Sequence, residues 1–189
     1  MQRVFLLSPA HCGGKRAAMV LADGARFPLA VRLRTDGASL GEVFSFLSGL
    51  YFRGKLAYAR HFARPPKGTN GVWVITPTHG LRPADERIGG ARLREFATVA
   101  IDETNARYRD PLARDASALA KACGPRCDVV LLGSIATRKY VAVLHEAFGR
   151  RLRCPTAFVG LGDKGRGGLL LRAVREQREL GYMAIEPAP

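Results

Sequence analysis

The chain has 189 residues, 47% of them hydrophobic, and its 30 lysines and arginines against 16 acidic residues give a formal net charge of +14. This length suits one domain with a sizeable core, and no apolar run is long enough to cross a membrane. Arginine accounts for 24 of the basic residues, and its planar guanidinium binds phosphate with two hydrogen bonds. The charge therefore favours a phosphate-rich partner, chiefly nucleic acid; the alternative is a basic enzyme for anionic metabolites.

We expect no secretion signal in residues 1–8, because Pro9 ends this apolar run and no small-residue cleavage pattern accompanies it. We expect a cytoplasmic protein with no membrane association and no obligatory protein partner. Cys12, Cys123, Cys127 and Cys154 are then expected to be free thiols. Cys123 and Cys127 have a spacing found in metal sites, but no second close pair accompanies them. We therefore predict no metal and no other cofactor.

The first third of the chain predicts a strand followed by helices. Residues 3–8 form an apolar run that Pro9 breaks, and a glycine turn then leads into a helix over Lys15–Leu21. Residues 27–34 fit either a helix or a strand. Residues 39–62 are rich in aromatic residues and predict two helices that meet near Ser48 and Gly49, the second with an apolar stripe at helical spacing.

The middle of the chain predicts a second buried strand over residues 72–75, followed by a Thr-Pro-Thr-His-Gly-Leu loop over residues 76–81. Residues 81–104 give mixed signals and are interpreted as an insertion or a flap over the site. Asp110 and Pro111 resemble the start of a helix, with an acidic cap and a proline in the first turn. One face of that helix is apolar, at Leu112, Ala116, Leu119, Ala120 and Cys123.

The clearest signal is the unbroken apolar run Val-Val-Leu-Leu at residues 129–132, within a strand predicted over residues 128–132. Gly133 and Ser134 follow, and then a helix with its buried face at Tyr140, Val141, Leu144, Ala147 and Phe148. A fourth strand over residues 151–154, a glycine-rich basic loop over residues 158–168, a helix over residues 168–178 and a last strand over residues 182–185 complete the chain.

Alternating strands and helices predict one α/β domain, Rossmann-like, with a mostly parallel sheet and helices on both faces. In such sheets ligands bind at the carboxyl ends of the strands. Loops 8–15, 76–80, 133–139 and 160–168 should therefore converge on one site. Its expected substrate-binding residues include Ser8, Cys12, Lys15, Ser134 and Lys139.

Five segments resemble the YaaA-like group of bacterial peroxide-stress proteins and their short relatives. They are Leu-Leu-Ser-Pro-Ala-His-Cys-Gly-Gly-Lys-Arg-Ala, Leu-Tyr-Phe-Arg-Gly-Lys-Leu-Ala-Tyr-Ala-Arg, Val-Ile-Thr-Pro-Thr-His-Gly-Leu, Asp-Val-Val-Leu-Leu-Gly-Ser-Ile-Ala-Thr-Arg-Lys-Tyr and Gly-Leu-Gly-Asp-Lys-Gly-Arg-Gly-Gly-Leu-Leu-Leu. The resemblance implies a compact α/β domain, association with DNA rather than RNA, and distant kinship with base-excising DNA glycosylases. The Gly-x-Asp-Pro-Tyr and His-Pro-Ser-Pro loops of the well-known uracil-DNA glycosylases are absent from the chain.

Three residues are candidates for catalysis. Asp163 stands among cations, where a carboxylate can orient water or stabilise a positively charged sugar; the alternative is a salt bridge with Lys164 or Arg166. Glu42 is the second candidate carboxylate, or else a solvated acid at a helix N-terminus. His79 can donate a proton to a leaving base, or else it is a turn histidine bonded to the backbone.

Two segments are candidates for binding nucleic acid. The glycine-rich loop, with Lys164 and Arg166, can bring backbone N–H groups close to phosphate; the alternative is a basic loop without that role. In the second aromatic helix, Tyr51 and Tyr58 lie beside Arg53, so that bases can stack on rings while cations hold phosphate. The alternative is core aromatics with a solvated basic flank.

These observations predict a base-excision enzyme of the DNA glycosylase type, with a basic face that holds phosphates and a pocket for an extruded base. Two alternatives stay open: an enzyme acting on free nucleosides or nucleotides, and a protein that binds DNA without chemistry.

Overall fold

The computed structural model describes residues 1–135 and 138–186. In these residues the larger sheet has six strands: β1 Gln2–Leu7, β3 Val72–Thr76, β4 Gly80–Pro83, β6 Cys127–Leu132, β7 Leu152–Pro155 and β8 Tyr182–Ala184. A small antiparallel sheet pairs β2 Ala38–Ser39 with β5 Arg87–Ile88. The α-helices are α1 Lys15–Leu21, α2 Pro28–Arg34, α3 Leu40–Ser48, α4 Leu50–Phe62, α5 Gly90–Phe96, α6 Ala106–Cys123, α7 Arg138–Phe148 and α8 Asp163–Arg175.

The large sheet has the strand order β4-β3-β1-β6-β7-β8. Its four central strands are parallel, and the edge strands β4 and β8 run antiparallel to their neighbours. The chain passes from β1 to β3 on one side and later to β6 on the other side of β1. The direction of winding therefore reverses between β1 and β6, which defines the switch point of the sheet.

Helices cover both faces of the sheet because successive side chains of the central strands, which point to opposite faces, are apolar. In β1, Phe5 and Leu7 belong to a core shared with α1–α5 and α8. Val4 and Leu6 belong to a second core, shared with α6 and α7. The predicted fold class, a mostly parallel Rossmann-like α/β sheet, is confirmed.

The strongly patterned elements lie where they were predicted. The helix over Lys15–Leu21 is confirmed, and the two aromatic-rich helices meet at Gly49, whose φ of 65° turns the chain between them. Ser39 caps the first of these, its hydroxyl accepting a hydrogen bond from the Glu42 N–H at 3.3 Å. The ambiguous residues 27–34 are helical over Pro28–Arg34.

The predicted start of α6 is wrong. The helix begins at Ala106 after the cap residue Asn105, and Pro111 lies inside it. Proline removes one backbone hydrogen bond there. Tyr108 and Leu112, both fully buried on either side of Pro111, hold the helix against the second core. Tertiary packing thus outweighs the local preference for a helix that begins at proline.

The glycine-rich segment is also different from the prediction. A basic loop was expected over residues 158–168, but α8 begins at Asp163, and the loop that precedes it is short. Lys164 and Arg166 are consequently helical residues. The predicted loop over residues 76–81 is a tight turn over residues 77–79, after which Gly80, with a φ of 63°, begins β4.

Candidate active site at the carboxyl end of the sheet

The switch point of the sheet is a crevice between the residues that follow β1 and β6. Ser8 follows β1, and its N–H donates to the Leu132 carbonyl of β6 at 3.1 Å. Gly133 lies so close that a side chain there would meet the Ser8 Cβ at 2.7 Å. The glycine therefore allows the ends of β1 and β6 to approach closely beside the crevice, the usual ligand position in such sheets.

A cavity of about 750 Å³ opens at this crevice. It is lined by residues from the ends of β1, β3 and β6, from α4, from the start of α8, and from the segment that follows α5. Its polar and charged lining residues are Ser8, His11, Ser48, Lys55, Thr98, Asp102, Ser134, Lys139 and Asp163. The volume and the mixture of apolar wall with a few polar groups are typical of small-molecule pockets.

Lys55 is the most unusual residue of the cavity, because only 1% of it is exposed. Its Nζ donates to the carbonyl oxygen of Ser8 at 2.7 Å and to the Ser8 Oγ at 2.9 Å. The rings of Tyr51 and Phe52 lie 4.6 and 4.7 Å from the same nitrogen. Burial lowers the Lys55 pKa from 10.5 to about 7, although Asp163 opposes this change.

The position of Lys55 depends on close contact between α4 and α8. A methyl group on Gly54 would meet the Gly167 carbonyl oxygen at 2.7 Å, and one on Gly167 would meet the Tyr51 Cα at 3.0 Å. Glycine at both positions therefore brings the two helix backbones together. Since Lys55 and Tyr51 are one turn apart on α4, both reach the cavity beside the N-terminus of α8.

Asp163 is the first residue of α8, and its side chain is 72% exposed. Its carboxylate lies 3.7 Å from the Arg166 guanidinium, which is itself buried and donates to the Phe158 carbonyl at 3.2 Å. Asp163 thus borders the cavity, reaches solvent and raises the Lys55 pKa. Such a carboxylate can contact both a bound ligand and water.

The segment after α5 forms a further wall, with Asp102 at its end. The N–H and hydroxyl of Thr104 donate to Asp102 and lower its pKa, and Lys139 of α7 lowers it further. Lys139 also lines the cavity. The cavity therefore carries two carboxylates and two amines, together with the imidazole of His11.

The predicted convergence of the four loops is confirmed, since each supplies lining residues. Of the predicted site residues, the cavity brings together Ser8, Cys12, Tyr51, Ser134, Lys139 and Asp163. Burial raises the pKa of the Cys12 thiol to about 12, and the Sγ donates to the Ala10 carbonyl at 3.4 Å. Cys12 is therefore a neutral lining residue rather than a thiolate.

His79 does not line the cavity. Its ring lies 5.9 Å from that of Phe96, which does, so His79 is one side chain removed. The His79 Nδ1 lies 2.6 Å from the Thr78 hydroxyl and 3.5 Å from Glu95. Burial, followed by the charge of Arg92, lowers its pKa. This environment matches the alternative prediction of a histidine in a turn, except that the His79 ring bonds the side chain of Thr78 and not the backbone.

The remaining predicted residues lie off the cavity lining. Glu42 is exposed in the first turn of α3 and pairs with Arg32. Tyr58 is fully buried, and its hydroxyl accepts from the Leu180 N–H at 2.8 Å and pairs with the Tyr182 hydroxyl at 2.7 Å, so it cannot stack on a base. Lys15, Arg53 and Lys164 are exposed, whereas Arg166 is buried and donates to the Phe158 carbonyl.

Sequence reasoning did not identify Lys55 as a cavity residue and grouped it with Arg53 among the cations beside the rings of α4, either holding phosphate or solvated. The available signal was its spacing, because Lys55 falls between Phe52 and Ala59 on the apolar stripe of α4. A lysine on a buried helix face must have a polar partner or lose its charge. Asp102 was also missed, since nothing in the sequence of residues 81–104 indicated that this segment ends beside the carboxyl ends of the strands.

Comparison of the chain with protein-family models, curated proteins and solved structures finds no match. Among the described residues, none of the helices has the length and apolar content needed to span a membrane. Residues 1–135 and 138–186 also contain no group of three or more His, Cys, Asp or Glu side chains placed to hold a metal ion. Function is therefore inferred from the chemistry of the cavity itself.

Proposed function

We propose that this protein is an enzyme of base-excision type, which cleaves the N-glycosidic bond between a base and its sugar in DNA. One observation carries the proposal: Asp163, Lys55 and Tyr51 meet in a single cavity of about 750 Å³ at the switch point. A cavity of this size accommodates about one nucleotide, so the target nucleotide would leave the base stack to enter it.

The cavity offers both surfaces that an extruded base requires. The rings of Tyr51 and Phe96 provide apolar contact, while Ser134 and the exposed His11 provide polar groups for the base edge. Stacking and hydrogen bonding together are how flipped bases are recognised. The arrangement of these apolar and polar groups determines which class of base the cavity accepts.

The chemistry assigned to Asp163 is electrostatic. Cleavage breaks the bond between C1′ and the base nitrogen, the electron pair leaves with the base, and positive charge develops on the sugar. A carboxylate beside C1′ stabilises that charge and orients the water that adds to C1′. The departing base takes up a proton, for which the Lys139 ammonium is a donor on the cavity lining.

Exposed cations close in the chain to cavity residues support a polymeric substrate. Lys15 and Lys164 lie within three residues of the lining residues Cys12 and Asp163 in the chain. They would contact the phosphates that flank an extruded nucleotide, in keeping with the net charge of +14. Their side chains supply affinity without reading sequence.

The proposal is tested by base release from oligonucleotides that carry deaminated, alkylated or oxidised bases, with free base measured by chromatography. We expect the wild-type protein to release one class of base at a rate above that of spontaneous loss. If no base is released from any of these oligonucleotides, the proposal is wrong. Salt-dependent binding that persists in that case would leave a DNA-binding protein without chemistry.

A second candidate, an enzyme that acts on free nucleosides or nucleotides, is favoured by the two carboxylates of the cavity. Asp102 and Asp163 would repel flanking phosphates, but they suit the hydroxyl groups of a free sugar. Incubation with free nucleosides separates the two candidates. Base release from these compounds, with none from oligonucleotides, would favour the second.

A further inference from the structure

The hydrogen bonds of Lys55 account for every donor of a neutral amine. A neutral amino group has two N–H bonds and one lone pair, and the Nζ donates to two acceptors, both on Ser8, at 2.7 and 2.9 Å. A charged ammonium would have a third N–H to satisfy. With both N–H bonds directed at Ser8, the lone pair points away from Ser8, and Lys55 is also a lining residue of the cavity.

The surroundings of Lys55 favour the same protonation state. Within the described parts of the chain, no carboxylate forms an ion pair with it, and the side chain is removed from water, which disfavours the ammonium form. Asp163, the carboxylate that affects it, is largely solvated. A buried amine in apolar surroundings is the form of lysine that acts as a nucleophile toward carbonyl carbon.

We propose that Lys55 forms a covalent imine with the C1′ aldehyde of the sugar that remains after base loss. The inference rests on the proposed function and extends it from cleavage to capture of the abasic product. Abasic deoxyribose opens to an aldehyde, which is small enough to enter the cavity once the base has left. The two hydrogen bonds to Ser8 hold the Lys55 amine in place on the cavity lining.

The step balances without any further reactant. The Nζ lone pair attacks C1′, the carbon–nitrogen bond forms, and the carbonyl electrons move to oxygen, which takes up a proton. The nitrogen then loses a proton to give a hydroxyl and a neutral amine on C1′. The hydroxyl takes up a second proton and leaves as water while the nitrogen lone pair forms the C=N bond, and the nitrogen releases its remaining proton. Asp163 at the cavity mouth can relay these protons to solvent, since its carboxylate reaches water.

Borohydride trapping on an oligonucleotide with a preformed abasic site tests the inference. Borohydride reduces an imine to a stable amine, so a protein–DNA adduct appears on a denaturing gel, and peptide mapping locates the modified residue. We expect the wild-type adduct to map to Lys55. Lys55→Met should lower the adduct yield at least about tenfold, whereas Lys121→Met, which changes an exposed lysine at the far end of α6, should leave it unchanged.

The outcomes are separable from those of the proposed function, because the preformed abasic site needs no base excision. An adduct that maps to other lysines, or no adduct at all, would overturn the inference even if base release is observed. An adduct at Lys55 without base release from any modified oligonucleotide would leave the inference standing and remove the proposed excision step. Mapping on the wild-type protein answers the question even if Lys55→Met fails to fold.

Discussion

Among single residues, Lys55 is the most deeply buried ionisable side chain on the cavity lining. Lys55 lies on the apolar face of α4, where an apolar residue would be expected. Its nitrogen instead donates two hydrogen bonds to Ser8. Proteins rarely bury an amine unless the position is useful, because the charged form loses its hydration. The resulting free-energy cost depends on pH and can be measured directly.

The free energy of unfolding should depend on pH through Lys55. Its pKa falls from 10.5 in the unfolded chain to about 7 in the folded protein, so the unfolded state binds more protons between these values. Stability therefore increases by up to about 1.4 kcal/mol per pH unit above neutrality, and this gain is absent below the folded pKa. Urea unfolding at several pH values, compared between wild type and Lys55→Met, measures the difference.

The matched variant Lys121→Met should follow the wild-type curve, because Lys121 is exposed. Parallel pH profiles for wild type and Lys55→Met would contradict the assignment of a neutral amine near pH 7.

Asp163→Asn should abolish turnover while sparing binding. The substitution keeps the shape of the side chain but removes the charge that stabilises the developing sugar cation, so kcat should fall by about 100-fold or more with little change in Kd. Glu42→Gln is the matched control, because Glu42 pairs with Arg32 away from the cavity. Base-release kinetics and fluorescence anisotropy separate the two effects. Unchanged turnover in Asp163→Asn would remove Asp163 from the reaction.

At the scale of elements, the contact between α4 and α8 positions the charged residues of the site. Glycines on both helices remove the side chains that would separate the backbones. Tyr51 and Lys55 on one helix consequently face Asp163 at the start of the other. The glycines of the Gly-Arg-Gly-Gly segment, predicted to approach phosphate, instead serve helix packing at Gly167.

Adjacent glycines of α8 allow a matched test of this contact. Gly167→Ala would place a methyl group 3.0 Å from the Tyr51 Cα, whereas Gly168→Ala meets no atom within 4 Å. We expect Gly167→Ala to destabilise the protein by about 1–3 kcal/mol, and Gly168→Ala to stabilise it by about 0.5–1 kcal/mol through helix propensity. Thermal and urea unfolding provide the comparison. Equal effects of the two substitutions would show that the helices are not in tight contact at Gly167.

For the whole molecule, the excess of basic residues predicts binding that weakens with salt. Affinity for an oligonucleotide should fall at least about tenfold between about 50 mM and about 200 mM salt, because bound phosphates release counterions. A plot of log affinity against log salt concentration should have a slope that is smaller in magnitude by about 1 for Lys164→Ala, which corresponds to one lost phosphate contact. Lys121→Ala should leave this slope unchanged. Fluorescence anisotropy across a salt series measures both. If the affinity does not change with salt concentration, the proposal that basic side chains bind the phosphates is wrong.

An element of the fold could be predicted from the sequence when interactions between neighbouring residues in the chain decide its structure. Short-range signals located the helix over Lys15–Leu21 and the junction at Gly49, because capping, glycine turns and apolar periodicity act within a few residues. They failed at Pro111, where burial of Tyr108 and Leu112 outweighs the local preference. They also failed over residues 163–168, where six residues rich in glycine form a helix that is stabilised by contact with α4.

The sequence by itself determined the α/β class, the parallel central strands and the edge of the sheet at which polar residues gather, since unbroken apolar runs must be buried on both faces. Only the tertiary structure decided which of those residues share a cavity. It placed Ser134 and Asp163 together, left His79 behind Phe96, and buried Lys55 against Ser8. The reason is physical: burial, and with it the charge of an amine, depends on neighbours that are distant in the chain.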